Sequence, residues 1–201
     1  MKRLVCIVEG KGEVRAIPTL CYRIFDHLGV QGWVVDKEPI KQPRSLLVDA
    51  RMPGPKRRCR EEEVIRVLEL ARRTRKPDAV LMLCDEDDDC AAAWGPDATR
   101  VMGRITPGTV AVMAVREYET WLLLARDDAS LRAARIHQPD KVRDAKKSLA
   151  VLVPGYLPTT HQLSETRGVD VAFLRTRSKS FDKLVRSIAA LCGAPESPAA
   201  A

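Results

Sequence analysis

The fold is decided by the stretch Ala79-Val80-Leu81-Met82-Leu83-Cys84-Asp85-Glu86-Asp87-Asp88-Asp89, in which an unbroken apolar run leads directly into acidic residues. Such a run is typical of a strand in a parallel sheet that is covered on both faces. The acidic residues would then lie at the carboxyl end of the strand, where open α/β sheets gather functional groups. The stretch therefore predicts a buried parallel strand with an acidic site at its end.

Two other apolar runs end in a similar way. Residues 3–8 are predicted as a strand that leads into Glu9-Gly10-Lys11-Gly12-Glu13, and residues 110–115 as a strand that leads into Arg116-Glu117-Tyr118-Glu119. Residues 32–35 form a further short apolar run. Strands that alternate with helices predict an α/β fold over residues 1–125, with a mostly parallel, Rossmann-like sheet and helices on both faces.

The segments between the strands differ in character. Apolar residues recur at helical spacing up to residue 28, and Pro18 favours a helix that starts near Ala16 or Ile17. Residues 36–60 are basic, contain four prolines and have little periodicity, so we predict a long, partly mobile loop. Residues 61–76 have acids in the first turn and bases in the last, as a helix favours.

The rest of the chain is predicted to be helical. Helical spacing recurs in residues 131–136, 142–152, 163–166, 169–174 and 181–191, so residues 126–192 are expected to form a helical extension packed on the α/β domain. The Ala-, Pro- and Ser-rich residues 193–201 are predicted to form a flexible tail.

Composition limits the class of protein. The 201 residues are 45% hydrophobic and 30% charged, which is typical of a globular protein. No apolar run approaches the roughly 20 residues of a membrane span, and the apolar start meets Glu9 without a cleavage-site pattern, so we expect no export signal. Six scattered cysteines without a CxxC pair favour reduced thiols, a cytoplasmic location and no zinc site. The net charge of +7 is compatible with a polyanionic partner such as nucleic acid.

The acidic strand ends suggest a metal site. If the three strands are parallel, their carboxylates converge on one edge of the sheet, and a cation would relieve the repulsion between them. Oxygen ligands without nearby His or Cys favour Mg²⁺ or Mn²⁺, as one ion or, more in keeping with hydrolysis, two. The alternation of an extended chain predicts that Asp85 and Asp87 share a face, and that Glu117 and Glu119 do as well. The six candidate ligands are Glu9, Glu13, Asp85, Asp87, Glu117 and Glu119.

Each of these groups also has a simpler interpretation. Residues 85–89 taken alone are typical of a solvated acidic loop, Glu13 of a helix N-terminus, and Glu119 of a surface. Hydrolysis of a phosphodiester would further need a basic phosphate clamp. The candidates for that clamp, each of which is otherwise a solvated surface base, are Lys11, Arg116, Lys146, Lys147 and Lys179.

The aromatic residues and the glycine pattern do not support other kinds of catalytic or nucleotide-binding site. The three tryptophans are expected in the core, and Tyr118 and Tyr156 are expected to pack or to orient other groups. No GxSxG, GxGxxG or complete GxxxxGK[ST] motif is present, so Gly10-Lys11-Gly12 is not a nucleotide-binding P-loop.

The two earlier acidic motifs carry a resemblance to a known family. Residues 8–13 after the first strand, with residues 83–87 after a later one, resemble the Toprim domain of topoisomerases, bacterial primases and OLD family nucleases. The four-residue interval from Glu9 to Glu13 is most similar to the OLD type. Residues 115–123, 144–147, 155–156 and 177–181 resemble a bacterial family of small single-domain Toprim-like proteins of unknown function, so the resemblance covers nearly the whole chain.

The resemblance implies roles for individual residues. Glu9 would match the Toprim glutamate, a metal ligand or general acid/base, and Asp85 and Asp87 its paired aspartates. Glu13 would match the additional OLD acid, and Glu117 and Glu119 would match a late acidic motif. Lys146 and Lys147 stand out among the phosphate-clamp candidates because they lie in a resembling stretch, and Lys146 is a candidate catalytic residue together with Glu9, Asp85 and Asp87. One departure is Gly12, where relatives commonly carry threonine.

The expected function is hydrolysis of DNA or RNA phosphodiesters with Mg²⁺ or Mn²⁺. OLD nucleases join Toprim to an ABC-type ATPase, so the resemblance also implies a separate ATPase subunit and a role in phage defence. The main alternative is a non-catalytic Toprim-like subunit that binds nucleic acid or a partner. A third is a phosphotransfer or nucleotide-hydrolysing enzyme that acts on a small molecule.

Overall fold

A five-stranded parallel sheet organises the protein in the computed structural model, which describes residues 1–52 and 56–195. β1 pairs with β4 on one side and with β2 and β3 on the other, and β5 pairs with β4 at the outer edge. The predicted α/β class with a parallel, Rossmann-like sheet is confirmed. The strands are β1 (Lys2–Val8), β2 (Trp33–Val35), β3 (Ile40–Lys41), β4 (Ala79–Asp85) and β5 (Thr109–Ala114).

Helices cover both faces of the sheet. Successive strand residues point to opposite faces, so Cys6 and Leu81 belong to one hydrophobic core, and Ile7 and Val80 to the other. The second core is closed by α2 (Arg44–Leu47), α3 (Glu61–Arg75) and α4 (Ala91–Gly103). The first is closed mainly by α1 (Lys11–Leu28), α5 (Tyr118–Leu124), α7 (Ala145–Leu152), α9 (Val171–Arg177) and α10 (Lys179–Cys192). Helix α8 (Pro158–Arg167) packs against α1.

The first helix begins earlier than its proline suggested. α1 starts at Lys11, and Pro18 lies in its interior, so the expected start near Ala16 or Ile17 was wrong. Proline there removes one backbone hydrogen bond and crowds the preceding turn. The helix tolerates this because the residues on either side of Pro18 bury a continuous apolar face that includes Ile17 and Leu20.

The basic segment between residues 36 and 60 is more ordered than predicted. Ile40 and Lys41 add a strand to β1, residues 44–47 form α2, and Val48 bridges to Cys59. Leu47 and Val48 are buried under α4, and these apolar contacts were masked by the surrounding bases and prolines. Residues 53–55, which belong to the predicted loop, lie outside the described residues.

Helix α4 was not predicted from the sequence at all. It contains Gly95 and Pro96, which disfavour helix on propensity alone. It forms because Trp94, Ala98, Val101 and Met102 are buried against the sheet. Tertiary packing here outweighs local propensity.

The C-terminal helical extension is confirmed, and its individual helices begin and end at other residues than the predicted runs. α6 (Asp128–Ala133) precedes α7, and α8 and α9 extend beyond the short apolar runs that indicated them. Side chains from α9 and α10 share the core of the α/β portion. Of the predicted flexible tail, residues 196–201 lie outside the described residues.

The tryptophans and cysteines are in the states that the sequence predicted. Trp33, Trp94 and Trp121 are buried in the core, as expected. All six cysteines are free thiols. None of the helices formed by the described residues is both long enough and apolar enough to span a membrane.

Candidate functional site

The turn between β1 and α1 brings two carboxylates to the carboxyl edge of the sheet. Glu9 directly follows β1, and Glu13 folds back so that a Cβ on Gly10 would lie 2.1 Å from Glu13 Oε2. A Cβ on Gly12 would lie 2.2 Å from Gln162 Oε1. A Cβ at position 10 would meet only the flexible end of Glu13, whereas one at position 12 would also lie 2.9 Å from Pro158 Cβ, so the glycine at position 12 makes room for α8.

Asp85, the last residue of β4, connects the ends of three strands. Its backbone N–H donates to Glu9 Oε2 at 3.2 Å, and its Oδ1 accepts the backbone N–H of Tyr118 at 2.8 Å. The Cys84 thiol also donates to Glu9 Oε2, at 3.1 Å. Hydrogen bonds thus join the end of β1 and the segment after β5 to the end of β4.

The carboxylates in this group destabilise one another's charged forms. Burial raises the pKa of Asp85 well above its ordinary value, and repulsion from Glu13, Glu9 and Glu119 raises it further. Burial also raises the pKa of Glu9, and the charge of Asp87 adds to this effect. Burial raises the pKa of Glu119 to about 7. Such shifts are typical of sites that bind a cation or move protons.

Lys146 of α7 compensates part of this negative charge. Its Nζ lies 3.1 Å from Glu117 Oε2 and 3.8 Å from Glu119 Oε2. Burial alone would lower the pKa of Lys146, but attraction to Glu119, Asp85 and Glu117 outweighs it and raises the pKa. Lys146 therefore stays protonated at neutral pH, as an electrostatic group and not as a base.

Glu117 and Glu119 do not lie on an extended strand end, as the predicted alternation required. β5 ends at Ala114, Glu117 directly precedes α5, and Glu119 lies in the first turn of that helix. The expectation that both project from an extended strand end was therefore wrong. They lie together because a helix begins there and because Lys146 attracts both.

A buried bridge from the helical extension holds two of the carboxylates. The Gln162 side chain of α8 is fully buried, and its Nε2 donates to Glu13 Oε1 at 3.2 Å and to Glu119 Oε1 at 3.3 Å. The Tyr156 hydroxyl donates to Glu119 Oε1 at 3.0 Å, which is an orienting contact as expected. Sequence reasoning missed Gln162, because α8 has too polar a sequence to reveal an inward face.

Asp87 does not join the other carboxylates through any described hydrogen bond. The chain leaves the extended conformation after Asp85, and Asp87 has a left-handed φ of 50°, so the predicted alternation was wrong here. Its Oδ2 lies 3.1 Å from Arg44 Nε. Glu86 instead caps backbone groups, since its carboxylate accepts the N–H groups of Ala91 and Arg116.

The five basic candidates fall into different places. Lys11 and Lys146 border the pocket at the carboxylates, and Arg116 lies near Asp87 and Asp88. Lys147 lies in the first turn of α7, where its backbone N–H donates to the side chain of Asp144, and Lys179 is the first residue of α10. No described contact links the side chains of Lys147 and Lys179 to the carboxylates.

The carboxylates border a pocket of about 240 Å³. Glu13 Oε2 and Glu119 Oε2 are buried and accept no hydrogen bond from the described residues, so their oxygens are available as metal ligands. This donor set fits Mg²⁺ or Mn²⁺. Within residues 1–52 and 56–195, however, no three Asp, Glu, His or Cys side chains are already arranged as a metal site. The lining residues are Glu9, Gly10, Lys11, Gly12, Glu13, Asp85, Lys146, Pro158 and Thr159.

Comparison of the chain with protein-family models, curated proteins and solved structures finds no match. The resemblance to Toprim domains and OLD nucleases therefore rests on the sequence motifs quoted above and their order along the chain.

Proposed function

We propose that the protein is a metal-dependent phosphodiester hydrolase that acts on DNA or RNA. The supporting observation is the meeting of Glu9, Glu13 and Asp85 at one pocket beside the protonated Lys146. Carboxylates from separate strand ends, with raised pKa values for Glu9 and Asp85, are the arrangement that a divalent cation stabilises. A nearby cation of the protein itself supplies the attraction for a phosphate group.

Individual residues have distinct parts in this proposal. Glu9, Glu13 and Asp85 would hold Mg²⁺ or Mn²⁺, which supplies Lewis-acid stabilisation and lowers the pKa of a bound water. Glu9 Oε2 already accepts two hydrogen bonds, whereas Glu9 Oε1 accepts none from the described residues, so Oε1 is the atom that would accept a proton from the attacking water. Lys146 attracts the phosphate and stabilises charge that develops on it.

A second candidate, a non-catalytic subunit that binds nucleic acid or a partner, has support of its own. Lys146 already compensates Glu117 and Glu119, and Arg44 pairs with Asp87. Carboxylates that have internal partners need no metal ion. A separate ATPase subunit is compatible with either function and stays a prediction.

Nuclease assays distinguish the two candidates. The purified protein is incubated with single- and double-stranded DNA and RNA in Mg²⁺, in Mn²⁺ and in a chelator. The variant Glu9→Gln/Asp85→Asn removes two pocket carboxylates, and Glu62→Gln on the exposed start of α3 is the matched control. We expect metal-dependent cleavage that the control retains and the double variant loses.

Other outcomes of the assay would contradict the proposed site or favour one of the alternative functions. Metal-independent cleavage, or cleavage that the double variant retains, contradicts the proposed site. Absence of cleavage with equal nucleic-acid binding by all three proteins supports the binding subunit. Hydrolysis of mononucleotides without cleavage of polymers indicates an enzyme that acts on small molecules.

A further inference from the structure

A second pocket, distinct from the one at the carboxylates, lies beside the acidic turn after β4. It has a volume of about 250 Å³ and opens where segments distant in sequence meet. Asp85 lies just before the acidic turn in the sequence, and its carbonyl oxygen accepts a hydrogen bond from Arg44 Nη1 at 2.8 Å. Its lining residues are Arg44, Arg57, Asp87, Asp88, Arg116 and Arg143.

Arg44 holds this second pocket in shape. Its guanidinium donates to the carbonyls of Asp85 and Glu86 and pairs with Asp87 and Asp89. The Asp89 side chain is fully buried and accepts from both Arg44 and Arg57. Arg44 is therefore occupied with the turn, which leaves ligand binding to the other three arginines.

Those three arginines have unused donors. Arg57 donates from Nε to the Met52 carbonyl and from Nη1 to Asp89, Arg116 donates from Nη1 to the Asp87 carbonyl, and Arg143 donates from Nη2 to Asp88. Within the described part of the chain, Arg57 Nη2, Arg116 Nε and Nη2, and Arg143 Nε and Nη1 make no hydrogen bond. Guanidinium groups with free N–H donors match the geometry of phosphate oxygens.

Charge and backbone conformation at the second pocket agree with an anionic ligand. Four arginines but only two carboxylates, those of Asp87 and Asp88, line the pocket, and Asp89 is buried behind Arg44 and Arg57. Asp87 and Arg116 both have left-handed backbones, with φ of 50° and 63°, and they bond to each other through Asp87 N–H and the Arg116 carbonyl at 3.0 Å. Such conformations persist where the surroundings enforce them, often at ligand sites.

We propose that this arginine pocket binds a phosphate group of the nucleic-acid strand whose phosphodiester enters the carboxylate pocket. The choice of nucleic acid as the source of the phosphate rests on the proposed function. The recognition chemistry does not, since Arg57, Arg116 and Arg143 would bind a terminal phosphate monoester or an internal phosphodiester in the same way. The pocket would set the register of the strand relative to Asp85.

Binding in the absence of cleavage tests this proposal. The full-length protein is titrated, in a chelator, into fluorescent single-stranded oligonucleotides of one sequence that carry either a 5′-phosphate or a 5′-hydroxyl. Arg143→Gln is the first variant, because this side chain is 81% exposed and its loss leaves the core intact. Arg132→Gln removes the same charge from the exposed surface of α6 and is the matched control. Arg57→Gln is a second variant from the other side of the pocket.

We expect Arg143→Gln to weaken binding about tenfold, the worth of one charge-assisted hydrogen bond, and Arg132→Gln to change it much less. Loss confined to the phosphorylated strand identifies a terminal phosphate, and equal loss for both strands identifies an internal one. If Arg143→Gln and Arg57→Gln both bind like the control, the proposal is wrong.

If neither oligonucleotide binds the wild-type protein, the pocket is tested by NMR titration with inorganic phosphate. Shifts of the Nε–Hε NMR signals of Arg143 and Arg57 on addition of phosphate, beyond those caused by chloride at equal ionic strength, support the pocket. Unshifted signals overturn it. Neither result depends on nuclease activity, so the pocket and the proposed hydrolysis can fail separately.

Discussion

The substitution Gln162→Glu tests whether the buried bridge holds the carboxylates together. It replaces the Nε2 amide by an oxygen of nearly the same size, so packing in α8 is preserved. The two hydrogen bonds that Nε2 donates to Glu13 and Glu119, at 3.2 and 3.3 Å, are replaced by contacts between carboxylates. The structure therefore predicts destabilisation from electrostatics alone, without a cavity.

The expected cost follows from burial and charge. The Gln162 side chain has no exposed surface, and the nearest groups to its amide are already acidic. A buried charge without a partner costs about 3–5 kcal/mol in free energy of unfolding. For a protein of this size such a loss lowers the midpoint of thermal unfolding by about 6–20 °C.

The penalty should also depend on pH. Burial and the adjacent carboxylates would raise the pKa of the new acid in the folded protein above its unfolded value of about 4.3. The folded variant then binds more protons than the unfolded chain, so its stability relative to wild type falls as the pH rises above that value. We expect a smaller deficit at about pH 5 than at about pH 8.

Urea unfolding of wild type and variant in a chelator measures this difference. Gln138→Glu makes the same chemical change at an exposed position and should alter the free energy of unfolding by less than about 0.5 kcal/mol. The reasoning is refuted if Gln162→Glu at about pH 8 lies within about 1 kcal/mol of wild type, or if its deficit does not depend on pH.

Further predictions concern a glycine and two thiols. Gly12→Ala should lower the free energy of unfolding in urea by about 1–3 kcal/mol, because its Cβ would collide with α8, whereas Gly103→Ala, with open space around it, should be neutral or stabilising. A fall of equal size in both variants would contradict the close approach. Burial raises the pKa of Cys84 well above its ordinary value and that of Cys192 to about 11. Mass spectrometry after alkylation of the native protein should therefore find Cys192, which is partly exposed, modified before Cys84, and the reverse order would contradict the described burial.

The sequence alone determined the framework of the candidate site. Continuous apolar runs identified β1, β4 and β5, and the acids that follow them identified the edge at which carboxylates meet. These inferences hold because burial on both faces and the direction of parallel strands depend on short, contiguous stretches of sequence. The prediction of Glu9, Glu13 and Asp85 as neighbours required only that the strands be parallel.

The arrangement of the groups beyond the strand ends depends on long-range packing. The left-handed turn at Asp87 redirects that carboxylate to Arg44, and strand periodicity cannot predict a turn conformation. Gln162 meets Glu13 across 149 positions of sequence, from a helix without a marked apolar face. The arginine pocket likewise assembles residues from five separate places in the sequence, because loop positions depend on long-range packing that no local pattern records.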